Sequence, residues 1–146
     1  SGFYLAKLGP KGDNARKKEC SMYKKNPYKH MHVTTASPGE LIVMLYDGVL
    51  KFTGFAQQAY ADGDVPTAAT SIGRAVAIVN YLQSILDPKH SPELVEQLEQ
   101  LYTVWSYTLT KANLDQDTER LTRVRKEVEE MREAWVEVNR VTNQEG

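Results

Sequence analysis

Apolar residues recur at spacings of three and four along the chain from Thr34 onward, and the interruptions between these runs divide it into four predicted helices. The last run is the cleanest, with Leu121, Val124, Val128, Met131, Trp135 and Val138 forming one stripe and Glu, Lys and Arg elsewhere. The third run places Leu94, Leu98, Leu101, Tyr102, Trp105, Leu109 and Ala112 on one face. The second offers Ile72, Ala75, Val76, Val79, Leu82 and Leu86, and the first Leu41, Leu45, Val49, Phe52, Ala56 and Ala59. No alternating pattern of useful length predicts a strand, and no internal repeat or low-complexity tract is present.

Each helix start carries its own chemistry. Ser37-Pro38-Gly39-Glu40 combines a hydroxyl N-cap, a proline at the first helical position and a glutamate three residues after the cap, so Ser37 and Glu40 form a capping box. This helix is expected to stop near Ala61, where Gly63 allows a positive φ and Asp64 caps the next helix ahead of Pro66. Asp87-Pro88 ends the second helix after Leu86, and Ser91-Pro92-Glu93 opens a third that runs to about Asn113. Asp115 or Asp117 caps the fourth. Connections of about three to five residues between helices of ~22 residues force antiparallel neighbours. The fold class is therefore all-α: an up-down-up-down four-helix bundle over 34–141, an extended basic head over 1–33, and a tail over 142–146.

The first three helices are apolar on a second side as well. At 100° per residue, Val43, Tyr46 and Leu50 lie about 100° to 160° around from Leu45. Ile78, Tyr81 and Ile85 are similarly displaced from Val79, and Val104 and Tyr107 fall on the back of the third helix. One reading is a broad buried face or isolated surface positions. The other is a contiguous apolar groove that receives a partner's amphipathic helix, and it makes these eight residues the candidate binding site.

Composition narrows the classes. With 18 Lys+Arg against 19 Asp+Glu in 146 residues, the formal charge is −1, too balanced for a sequence-independent nucleic-acid binder. The charge is unevenly spread: residues 1–32 carry net +6 and residues 33–146 net −7. Residues 1–21 are set apart from the fold, since Ser1-Gly2 has the form of a cleavage scar and Met22 is a candidate start; their origin stays open. A chain of this length buries roughly 68–70% of its extended surface, enough for a core without a disulfide or structural metal. Cys20 is the only cysteine, which fits the cytoplasm. The longest apolar run, Leu41 to Tyr46, falls far short of the ~20 residues needed to span a bilayer, so neither membrane insertion nor a secretory signal is expected.

Enzymatic constellations are absent from the pattern. No Glu-x-x-His occurs, so the di-metal carboxylate site common in bundles has no ligand set. His30, His32 and His90 fall in the head and a turn, and His30-x-His32 lacks a third ligand of suitable spacing. Neither a G-x-x-x-x-G-K-[ST] loop nor a G-x-G-x-x-G is present. The acidic run at Glu127, Glu129, Glu130 and Glu133 reads as a solvated helix face. No catalysis, cofactor or metal is expected. Gly48, which costs a helix interior about 1 kcal/mol against Ala, calls for a reason: close approach of a neighbouring helix supplies one, and a role in partner contact is the other.

The segment Val33-Thr34-Thr35-Ala36-Ser37-Pro38-Gly39-Glu40-Leu41, followed by Met44-Leu45-Tyr46-Asp47-Gly48, resembles the T-A-S-P-G-E-L and M-L-Y-D-G signature of the flagellar secretion chaperone FliS family. Weaker echoes follow in order: Leu86-Asp87, Leu101-Tyr102 with Lys111-Ala112-Asn113, and Arg132-Glu133-Ala134-Trp135. Tyr28 matches an aromatic of the family's head. The resemblance spans roughly residues 28–135. It implies a chaperone of the bacterial cytosol that holds the C-terminal segment of flagellin, blocks its polymerisation and delivers it to a component of the flagellar export gate. It also implies that Tyr28 and Val33 fold over the apolar surface and yield to the client. Lys89-His90-Ser91-Pro92-Glu93 departs from the Gly-Gly-type segment frequent in the family, so contacts there do not transfer. A helical adaptor that binds another flagellar regulator through the basic head is the alternative.

Overall fold

The computed structural model describes residues 37–89 and 91–145. Tyr28, Val33, Cys20 and all three histidines lie outside the described residues. Four helices and no strand are found among those described: α1 Pro38–Ala61, α2 Val65–Ser84, α3 Pro92–Asp115 and α4 Thr118–Glu145. Ile42–Gly146 is one compact unit, and the first turn of α1 belongs to a separate unit ending at Leu41.

The local chemistry sets the ends as expected. The Ser37 hydroxyl accepts from the Glu40 amide at 3.2 Å, the hydroxyl half of the capping box, and donates to the Glu40 carboxylate at 3.1 Å. Asp64 accepts from the Thr67 amide and Ser91 from the Leu94 amide, each ahead of a proline in the first turn. The Thr67 contact holds the Asp64 carboxyl below its usual range. Asp117 caps α4 by accepting from the amides of Glu119 and Arg120. Gly63 takes φ 75°, the left-handed geometry that ends α1. Gln116 does the same after α3 at φ 51°, a place where no glycine in the sequence marks the stop. α3 therefore runs to Asp115 rather than Asn113. α4 continues through the residues read as a tail, since nothing between Val138 and Glu145 breaks a helix.

Side-chain bonds fix the order of the helices around the bundle. Gln83 and Asn80 of α2 reach Thr103 and Ser106 of α3, and Gln57 of α1 reaches Thr122 of α4. These pairs run in opposite directions along the chain, so the neighbours are antiparallel. The core is built from Tyr46, Val49 and Ala56 of α1, Ile72, Ala75, Val79 and Leu82 of α2, Leu98, Tyr102, Trp105 and Leu109 of α3, and Leu121, Val124 and Val128 of α4.

Three core expectations are corrected. Tyr46, placed outside the stripe of the first helix, is 0% exposed. The buried residues of α1 are Leu41, Tyr46, Val49, Thr53, Ala56 and Ala59, with Leu45 and Phe52 half-buried on the flank. Thr53 tolerates this position because its hydroxyl donates to the Val49 carbonyl at 2.7 Å. Leu94 and Val138, read as core, are exposed, because both stand near the ends of their helices where the stripe runs out of facing residues.

Candidate functional site

The residues of the two sequence signatures meet across the α1–α4 seam. Asp47 accepts from the Arg132 guanidinium, and this ion pair raises the Arg132 pKa. One turn along α4, the Trp135 indole Nε1–H donates to the Tyr46 phenol oxygen at 3.2 Å. That oxygen lies 2.8 Å from the Tyr102 oxygen, and the Tyr46 ring stands edge-on to both Tyr102 and Trp105. Burial pushes both phenols above their ordinary pKa; for Tyr102 the neighbouring Tyr46 adds to the effect. Tyr46 is therefore a structural anchor, and its place among the client-contacting residues is withdrawn: a side chain without exposed surface touches no partner while the bundle is folded.

Val43 and Leu50 fall on the same seam. The Leu50 carbonyl accepts from Arg125 of α4 at 3.2 Å, and the same guanidinium donates to Thr53 and Gln57 at 3.0 Å each. Arg125 thus lies across Gly54, where an added Cβ would meet its Nη2 at 3.4 Å. Val43 and Leu50 are half-buried there.

Ile78, Tyr81 and Ile85 lie on the opposite flank of α2 from the residues that bond α3. Ile78 faces α1: a Cβ on Gly48 would stand 2.9 Å from its Cδ1, so the glycine exists to admit this side chain, as the close-approach reading expects. With Thr67, Ser71 and Arg74, these residues form one row at spacings of three and four along α2. Phe52 and Phe55 face its first half from α1, with ring centroids 6.0 Å apart and edge-to-face. Phe55 is 51% exposed. Between them and Pro66, Thr67, Thr70, Ser71 and Arg74 lies an open cleft of about 360 Å³.

Val104 and Tyr107 stand elsewhere. They are 54% and 67% exposed on α3; Val104 is turned roughly 100° or more from both Thr103 and Ser106, which bond α2, while Tyr107 lies roughly 40° from Thr103 and 100° from Ser106. The eight predicted residues are spread over three helices. They divide into an α1–α4 set, an α1–α2 set and an α3 set. Sequence reasoning also passed over Phe55 and Arg74 as site residues, although Phe55 falls outside the predicted stripe and so was a legible exposed aromatic.

Among the described residues no group of three or more His, Cys, Asp or Glu side chains is placed to hold a metal, and no helix is long and apolar enough to cross a membrane. Of the acidic run on α4, Glu127 is engaged by the Trp105 indole, which donates to it at 2.9 Å.

A four-helix bundle that leaves an aromatic, cation-edged face between its first two helices has the make-up of a protein-binding module. Comparison with known proteins specifies which. The model of the family described as flagellar protein FliS matches residues 21–142. The flagellar secretion chaperone FliS of Bacillus subtilis (strain 168) is 34% identical over 108 residues, covering 74% of this chain and 80% of the relative. The FliS chaperone of Campylobacter jejuni is 32% identical over 114 residues, covering 78% and 89%, and that of Salmonella typhimurium 31% over 108 residues, covering 73% and 80%. The chain belongs to the FliS family of flagellar secretion chaperones.

Proposed function

We propose that this protein is a non-enzymatic cytoplasmic chaperone that binds the C-terminal segment of flagellin, prevents its premature polymerisation and delivers it to the flagellar export apparatus. The observation that carries this reading is the apolar row of the α1–α2 face, where Phe52, Phe55, Ile78, Tyr81 and Ile85 run at helical spacing along two neighbouring helices. A segment that is unfolded until assembly exposes an apolar helical stripe, and a chaperone hides it by offering a complementary one. The division of the site limits the geometry. One client helix reaches the α1–α2 face, while contact with Val104 and Tyr107 needs a second client segment passing around α3.

Calorimetric titration with flagellin from the same bacterium, full length and lacking its C-terminal segment, tests the reading. Binding that vanishes on truncation and carries a negative heat-capacity change supports it. Phe55→Asp is expected to weaken that binding about tenfold or more with an unchanged melting curve, since Phe55 is exposed. Absence of binding to both flagellin forms overturns the reading. The segregation of +6 charge into residues 1–32 supports a second reading, an adaptor that binds another flagellar regulator through its head. Deleting residues 1–27 separates the two: loss of all partner binding favours the adaptor, and retained flagellin binding the chaperone.

A further inference from the structure

The α1–α2 face differs from the rest of the body in charge. Residues 33–146 hold ten basic and seventeen acidic side chains, yet the cleft between Phe52, Phe55 and Pro66 is lined by no carboxylate. Its one charged lining residue is Arg74, and Lys51 stands against the same phenylalanine rings. The Lys51 ammonium sits 5.5 Å from the Phe52 ring centroid and 5.9 Å from that of Phe55, and the Arg74 guanidinium carbon 5.7 Å from Phe52. Both cations rest on aromatic faces, and neither has an ion-pair partner among the described residues.

A third group points the same way. Ser71 lines the cleft one turn before Arg74 and is only 7% exposed. Its hydroxyl makes no hydrogen bond among the described residues. Thr70, its neighbour, returns its own hydroxyl to the Pro66 carbonyl at 3.1 Å, so a helical hydroxyl here has that option and Ser71 does not use it. A hydroxyl that lines the open cleft without a protein partner, beside two cations that have no ion pair among the described residues, is an arrangement an anionic group completes.

We infer that the cleft is a recognition point for a carboxylate-bearing stretch of the client helix: an apolar side chain of the client enters between Phe52, Phe55 and Pro66, and an Asp or Glu one turn away engages Arg74, Lys51 and the Ser71 hydroxyl. The inference rests on the client-binding reading above and adds the chemistry that sets the client's register. Apolar contact alone allows a helix to slide by a turn; a carboxylate that must meet two fixed cations does not.

The test uses the full chain and the isolated C-terminal segment of the same bacterium's flagellin, titrated at low and high salt. Lys51→Glu with Arg74→Glu is expected to weaken binding about tenfold or more at low salt and to flatten its salt dependence. Lys51 and Arg74 are exposed, so melting should be retained. Lys51→Gln with Arg74→Gln guards against a repulsive artefact and should give a smaller loss with the same flattening. Ser71→Ala should weaken binding a few-fold. Wild-type affinity and wild-type salt dependence in both double variants would overturn the inference while the chaperone reading stands. Failure of the unaltered protein to bind the segment would remove both.

Discussion

The Trp135 indole donates to the Tyr46 phenol oxygen across the α1–α4 seam, and the same oxygen meets Tyr102 of α3, so one buried hydroxyl ties three helices together. The ion pair of Asp47 with Arg132 lies directly outside it. The most recognisable residues of the sequence, Tyr46-Asp47-Gly48 and Arg132 to Trp135, thus hold the fold closed. They are a signature of how the bundle is built.

Gly48 and Ile78 are predicted to be energetically coupled. Gly48→Ala gains helix propensity of about 1 kcal/mol but drives a Cβ to within 2.9 Å of the Ile78 Cδ1. Alone, the change should be near neutral or destabilising. In an Ile78→Val background, which removes the Cδ1, it should stabilise by about 1 kcal/mol. Denaturant unfolding of the two single variants and the double variant measures the coupling; strict additivity would refute it.

Tyr60→Phe should stabilise the protein. The Tyr60 phenol oxygen is buried without a hydrogen-bond partner among the described residues, so its removal relieves a desolvation penalty of about 1 kcal/mol or more. Equal or lower stability in urea would contradict this.

Stability is expected to fall steeply above pH 10. Tyr46 and Tyr102 keep their protons in the folded state to higher pH than in the unfolded chain, because burial raises both. The folded state then binds more protons than the unfolded one, so stability is full below the ordinary tyrosine value and is lost as pH rises beyond it. Each phenol contributes a slope of about 1.4 kcal/mol per pH unit in that window. Tyr60 is raised by burial as well, so Tyr102→Phe should remove about a third of the slope in unfolding curves recorded from pH 9 upward.

Asp47→Asn should cost about 1 kcal/mol or less at low salt and almost nothing at high salt, since both members of the ion pair are partly exposed. A loss that persists in concentrated salt would show that the pair acts through packing.

Much of the bundle was legible because capping is local chemistry. Ser37, Asp64, Ser91 and Asp117 each mark a start within a residue or two. The stop of α3 was harder, because Gln116 adopts a conformation that its residue type does not advertise. The phase of α1 was misread for a different reason. Tyr46 and Thr53 carry hydroxyls, and a stripe drawn through the aliphatic residues passes beside them; only a partner on another helix, or a carbonyl one turn back, makes such a hydroxyl a core group. The site was half legible. Periodicity placed Ile78 and Val104 outside their helices' core stripes, but an angle about a helix axis does not say which neighbour occupies that flank. The α2–α3 bonds of Gln83 and Asn80 lie on the flank of α2 away from Ile78.

The bonds that close α1 onto α4 link residues 85 and 89 positions apart, and their partners on α4 are synthesised only after α1, α2 and α3. A ribosome that has made α1, α2 and α3 has made a chain whose Tyr46 has no indole and whose Asp47 has no guanidinium to meet. Closure waits for Arg132 and Trp135 to emerge, and until then the aromatic heart of the bundle stands open to water and to other chains. A member of a chaperone family is itself, until its fourth helix emerges, a chain in need of protection.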